Sequence, residues 1–394
     1  MKHKVTISMK TTCLIGLVFA LLFFVGERPS LRAAEPIRIG ATFTITGWAA
    51  FLGTPEKEAV EIVVEEVNRK GGVLGRPIEV YFEDDQSNPT TSTIAATKLI
   101  KDKKVCALLG SSFTSGDLAQ IPIAESEGVA TLFPCPVITP FKKWVFLPIM
   151  DDIGMSNTML EFTVKALGAR KIALLHGDEA GFMAGIKNIE ESVGKYGASI
   201  VIKEIFSMAD TNMVPQLTKI KTANPDAIIL YGVAPSASVI AKNYKQLGMK
   251  TPVICSGGVP TKEFGQLVGN TLAGSPWIMF GIKIGRADTM SPDDPWRKNL
   301  YDPFKKVLQE KYGKDKEVQL FHANGHDLIR IVIEAIKTAG TDDRAAIRDA
   351  LEKIRYDGLL GSYFQVTPTD HDGCKGDFLE PQVIKEGKYW LYKK

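Results

Sequence analysis

Apolar and polar positions switch between two periods along most of this chain. Ile78, Val80 and Phe82 alternate with Glu79, Tyr81 and Glu83, the two-residue period of a strand. Another strand is predicted over residues 37–43. Between the two, Val60, Val63, Val64 and Val67 recur at helical spacing, and Pro55 is read as the start of that helix. Helices follow over 90–101 and 118–127, strands over 105–109 and 130–133. After Met150 the alternation restarts, with helices over 157–167, 183–196, 213–223 and 236–247. Its strands are predicted over 171–175, 199–206, 227–231 and 252–255. Residues 283–295 read as a loop rich in Pro, Asp and Gly, and two or three helices follow between Trp296 and Ile354. Leu328, Ile331, Val332, Ala335 and Ile336 mark the buried face of one of them. Strand–helix alternation predicts parallel sheets with helices on both faces. The chain length of 394 residues predicts two such lobes.

Residues 1–34 stand outside this pattern. Lys2, Lys4 and Lys10 precede an apolar run from Leu14 to Val25, and Ala33 and Ala34 come before Glu35. This is read as a secretory signal peptide. The run is shorter than the roughly 20 residues of a spanning helix. Cys13 precedes the run instead of closing it, which argues against a lipid anchor. The leader changes the charge picture. It holds five of the 48 Lys and Arg residues and one of the 45 acids, so the remainder carries 43 against 44. No basic stripe is left to suggest nucleic acid. Cys106, Cys135, Cys255 and Cys374 remain, in a compartment that permits disulfides. Their connectivity cannot be read from spacing.

The segment EEVNRKGGVLGRPIEVYFEDDQSNP, residues 65–89, joins a helix end to a Gly turn, a strand and an acidic loop. Over residues 68–75 and 84–89 it resembles the branched-chain amino-acid binding proteins of ABC transporters, the type I periplasmic binding-protein family. The resemblance extends over nearly all of the chain after the leader and is weakest beyond Tyr363. It implies an α/β fold of two Rossmann-like lobes, each a mainly parallel sheet flanked by helices, joined by a three-crossover hinge. The crossings fall near residues 150–153, 279–283 and 356–363. Lobe 1 is then 35–151 plus 284–357, and lobe 2 is 152–283 plus 358–394. Composition alone gives a single boundary. The resemblance further implies a periplasmic monomer that closes on a small-molecule ligand and hands it to an ABC permease in the membrane.

Parallel sheets bind ligands beyond the carboxyl ends of their strands. The loop at residues 110–116, GSSFTSG, follows a strand and precedes a helix. Its N–H groups and hydroxyls suit a carboxylate; its ordinary alternative is a helix cap. By resemblance Thr114 is the hydroxyl that grips a ligand carboxylate, with Ser115 beside it. Cys135 matches a backbone contact, although a free Cys is more often a small buried hydrophobe. Val137 stands where a second hydroxyl is expected. The family's acid for a ligand ammonium corresponds to Gly257. Its two cleft aromatics correspond to Phe182, retained, and Val233, lost. Trp48 and Phe113 are expected to add apolar walls, with core packing as the alternative. The family's early disulfide would join the positions of Asn88 and Phe113, so it is not carried over. A buried ammonium without a partner costs several kcal/mol. The expected ligand is therefore a small carboxylate or amide without an α-ammonium, aromatic or branched.

No phosphate loop, dinucleotide fingerprint or nucleophile elbow is present, and no cofactor or metal is expected. His322 and His326 stand four apart but lack the Glu of a zinc hydrolase motif. Asp370-x-Asp372-Gly373 begins like a calcium loop, yet no glutamate follows at the right distance. Asp84 and Asp85 look like a catalytic pair, but the resemblance makes them a structural turn. Asp293 and Asp294 sit in a Pro-rich loop and read as solvated. A sensor for amides or small acids, a true branched-chain amino-acid binder with a rearranged pocket, and a secreted hydrolase remain as alternatives. The last requires a nucleophile, base and oxyanion site together, and no such set is visible.

Overall fold

The computed structural model describes residues 35–393 except 138, 151, 269–270, 273–274 and 377–378. The signal peptide expected over residues 1–34 lies outside the described residues. The first lobe opens with β1 (Ile37–Ala41), α1 (Ala50–Arg69), β2 (Ile78–Phe82), α2 (Pro89–Lys101), β3 (Ala107–Leu109), α3 (Thr114–Glu127), β4 (Ala130–Leu132) and β5 (Val145–Phe146). All neighbours in its sheet, ordered β2-β1-β3-β4-β5, are parallel.

The second lobe runs through α4 (Asp152–Glu161), β6 (Lys171–Gly177), α5 (Ala180–Ser192), β7 (Ser199–Phe206), α6 (Val214–Ala223) and β8 (Ala227–Tyr231). It continues with α7 (Ala234–Gln246), β9 (Val253–Cys255), α8 (Lys262–Val268) and β10 (Trp277–Gly281). The chain then returns to the first sheet with α9 (Asp302–Tyr312), α10 (Leu320–Ala339) and α11 (Arg344–Leu351). Leu328, Val332, Ile336 and Ile347 share one core with Ile39, Leu109 and Leu132. A small antiparallel sheet of β11 (Tyr356–Asp357), β12 (Tyr363–Phe364) and β13 (Cys374–Lys375) follows. Finally β14 (Glu380–Lys385) and β15 (Lys388–Leu391) join the second sheet, ordered β15-β14-β10-β9-β8-β6-β7. The β10–β14 and β14–β15 pairs are antiparallel and the rest are parallel. The two-lobe α/β expectation is met.

Local differences have local reasons. α1 starts at Ala50, with Pro55 inside it; the missing N–H leaves the Phe51 carbonyl without its helical donor. α3 starts at Thr114, four residues before the predicted start, because Ser115 and Gly116 read as loop residues yet form its first turn. β5 is two residues long and carries no alternation to detect. Residues 283–289, expected to be loop, form a 3-10 helix. Among the described residues no helix is long and apolar enough to cross a membrane.

Candidate functional site

In the first sheet the strand order reverses between β1 and β3, and in the second between β6 and β8. Such switch points open crevices beyond the strand ends, and here the two crevices face a common cavity of about 140 Å³. The turn from β3 into α3 supplies Ser112, Phe113 and Thr114, and the exit of β4 supplies Pro134, Cys135 and Pro136. From the second lobe come Glu179 and Phe182 at the start of α5, Val233 at the start of α7, and Ser256, Gly257 and Gly258 after β9. Trp48 and α1 and α10 residues Leu52, Glu56, Phe321 and Asn324 form another wall. Segments between the lobes add Met150, Ile282, Leu360 and Cys374, and α4 adds Asp152 and Met155. The volume resembles an apolar cavity that holds one benzene ring.

Seven residues expected from the sequence line this cavity: Trp48, Phe113, Thr114, Cys135, Phe182, Val233 and Gly257. Trp48 and Phe113 meet edge to face at 5.8 Å. Ser115 and Val137 are not among the lining residues. Val137 instead packs with Ile121, Phe133 and Val145. Ser115 is engaged by the opposite lobe. Its N–H and its Oγ–H both donate to Glu179 Oε1, at 2.8 and 2.7 Å.

The sequence reading missed the acids. Glu56, Asp152 and Glu179 all line the cavity, and among the described residues no Lys, Arg or His does. Asp152 is the first residue of α4, and Glu179 immediately precedes α5. Glu56 is 1% exposed. Burial pushes its carboxyl well above the usual range, against the pull of hydrogen bonds from Ser112 and Asn324. Among the described residues, Glu56 Oε1 and Asn324 Oδ1 are both buried without a hydrogen bond. A proton on Glu56 turns one of these acceptors into a donor and reconciles them. One signal was available: Glu56 is in helical register with Val60, Val63 and Val67, an acid on an apolar stripe.

Most hydroxyl protons around the cavity are already committed. Thr114 Oγ donates to Pro136 O at 2.9 Å, Ser112 Oγ to Glu56 Oε2 at 2.6 Å and Ser256 Oγ to Gly232 O at 3.1 Å. Asn324 Nδ2 donates to Pro134 O at 3.2 Å. Burial raises the Cys135 thiol well above its ordinary range and the Cys374 thiol to about 12, so both stay protonated. The lobes approach closely at Gly181, where a β-carbon would stand 2.6 Å from Asp152 Oδ2 and 2.9 Å from Thr114 Oγ.

The other motifs have structural partners. Asp84 accepts from Ile45 N, Thr46 N and Thr46 Oγ, and Asp85 from Thr44 Oγ, tying the β2 exit to the loop after β1. His322 faces Glu58 at 3.0 Å, whereas His326 faces Asp327 at 2.8 Å. Asp370 Oδ1 accepts from Asp372 N, closing a local turn. Among the described residues no group of three or more potential metal ligands comes together.

Comparison with known proteins gives these arrangements a context. A family model described as periplasmic binding protein matches residues 36–375. The chain is 23% identical over 358 residues to the leucine-, isoleucine-, valine-, threonine- and alanine-binding protein of Pseudomonas aeruginosa, covering 90% of this chain and 92% of the relative. It is 24% identical to Leu/Ile/Val-binding protein homolog 3 of Brucella melitensis, covering 81% and 84%. An extracellular ligand-binding receptor from Rhodopseudomonas palustris HaA2 superposes with a TM-score of 0.82 at 26% identity, covering 91% of this chain and 100% of that one. The branched-chain amino acid transporter substrate binding protein LivJ of Streptococcus pneumoniae, solved with isoleucine, superposes at 0.76 and 24% identity, covering 90% and 98%. That last likeness is one of fold.

Proposed function

The chain belongs to the periplasmic binding protein family, and from that membership we propose that it is the extracytoplasmic solute-binding subunit of an ABC transporter. It takes a small organic ligand between its lobes by hinge closure at the three crossings and presents the closed form to a membrane permease. The ligand is a carboxylate or amide without an α-ammonium, and no residue acts catalytically. The observation that carries this reading is the cavity: it is small, mainly apolar, and built from both lobes. Gly257 lines it where the family resemblance calls for an acid. An unpaired buried ammonium there would cost several kcal/mol.

A second reading has its own support. Asp152 and Glu179 also line the cavity, and either carboxylate is a possible partner for an ammonium. Both relatives are named for leucine, isoleucine and valine, and the first also for threonine and alanine. On this reading the chain is a branched-chain amino-acid binder with a rearranged pocket. Thermal shift of the ligand-stripped protein separates the two. A ligand at 100 times its dissociation constant adds about 2.7 kcal/mol of stability. Stabilisation by branched or aromatic acids and amides, and not by leucine, isoleucine or valine, is expected. Stabilisation by the amino acids alone would replace the first reading with the second.

A further inference from the structure

Resting on the ligand reading above, we infer that the ligand's polar head is uncharged, a carboxamide instead of a carboxylate, and that Glu179 makes it so. The start of a helix offers free N–H groups to an anion. At α3 the anion is already supplied by the protein. Glu179 reaches across from the second lobe and takes both the N–H and the hydroxyl proton of Ser115 through one oxygen. Thr114, Ser112 and Ser256 direct their protons to other acceptors. Among the described residues no Lys, Arg or His lines the cavity. A ligand carboxylate would enter beside Glu179 and Asp152 with these donors taken, and a buried anion without partners is strongly disfavoured.

A cationic head is not called for either. Asp152 lies in the first turn of α4, and Glu179 precedes α5 while bonding the first turn of α3. Both carboxylates therefore face the positive ends of helices, which offset their charge. What Glu179 can still take is a hydrogen-bond donor, because a carboxylate oxygen accepts more than one bond. A carboxamide supplies two N–H donors and no net charge. Its apolar remainder meets Phe113, Phe182 and Val233.

Isothermal titration of the ligand-stripped protein with isovalerate against isovaleramide, and benzoate against benzamide, tests this. The wild type should bind the amide of a pair at least tenfold more tightly than the acid. Glu179→Ala, checked for folding by its melting transition, should reverse that order, because the freed Ser115 N–H and hydroxyl then donate to the ligand's carboxylate. Tighter binding of the acid by the wild type, or the same order in both proteins, overturns the inference. If the wild type binds neither pair, acetate decides: saturable binding gained by Glu179→Ala supports the Glu179 assignment, and no gain overturns it. Leucine is titrated alongside. Leucine binding without amide binding would refute the ligand reading itself, while the acetate arm would still judge Glu179.

Discussion

Gly325 of α10 lies against the backbone of Glu56 in α1, where a β-carbon would stand 2.2 Å from the Glu56 carbonyl oxygen and 2.7 Å from its Cα. No flexible side chain is there to move aside, so a larger residue must part the helices. The close approach sets Asn324 against the Glu56 carboxyl and so builds one wall of the cavity. Gly325→Ala should destabilise the protein by about 1–3 kcal/mol, the usual cost of overpacking. Urea unfolding would read this as a lower midpoint at unchanged slope. An unchanged midpoint would mean that the two helices slide apart freely.

The Glu56 carboxyl itself makes a pH prediction. Burial raises it well above its ordinary value of 4.5, so the folded protein holds this proton more tightly than the unfolded chain does. Its contribution to stability is greatest at low pH and declines as pH rises above about 4.5. Glu56→Gln keeps the shape of the protonated acid and cannot ionise. The stability of the variant relative to wild type should therefore climb as pH rises from 4.5 to 8. The difference is the proper readout, because burial also raises Asp85 and Asp117. A difference that stays flat with pH would show that Glu56 ionises in place without penalty.

These acids also mark the limit of what is legible in sequence. The lobes are legible because strand and helix periods alternate, and the cleft loops because each follows a strand and opens a helix. Seven cleft residues follow from that logic and from the family resemblance. Glu179 and Asp152 do not, since an acid at a helix start is also an ordinary favourable cap. Only the fold brings them to the cavity, from the far side of the crossing between lobes. Val137 departs from expectation because position along a loop does not say which way a side chain turns. Ser115 reads as a ligand donor, yet its partner lies 64 residues away in the other lobe.

On the proposed closure, Gly181 limits how closely the lobes can shut. It is the second residue of α5, with Asp152 Oδ2 and Thr114 Oγ at 2.6 and 2.9 Å from where a β-carbon would stand. These are ends of side chains, so an added methyl wedges the cleft without disturbing either core. Gly181→Ala should weaken ligand binding about tenfold, equivalent to about 1.4 kcal/mol, and leave the ligand-free melting temperature within a degree or two. Small-angle scattering should give a larger radius of gyration for the variant at saturating ligand. Full affinity together with full compaction would show that Asp152 and Thr114 rotate away.

Asp327 makes the corresponding contact at the third crossing. From α10 its carboxylate accepts Leu359 N at 2.8 Å and Leu360 N at 2.9 Å, and Gly358 leaves it room. Leu360 in turn lines the cavity, so the acid joins a first-lobe helix to the segment that bends if the proposed closure occurs. Buried hydrogen bonds to a charged group contribute about 1.5–3 kcal/mol each. Asp327→Ala should therefore cost about 3–6 kcal/mol, and Asp327→Asn, which keeps one acceptor, roughly half of that. Amide hydrogen exchange separates a local effect from a global one. In the wild type the Leu359 and Leu360 amides should be protected; in Asp327→Ala they should exchange faster than the β8 amides of the second sheet. Equal acceleration at both would mean that the variant unfolds as a whole, and that Asp327 supports the core instead of the hinge.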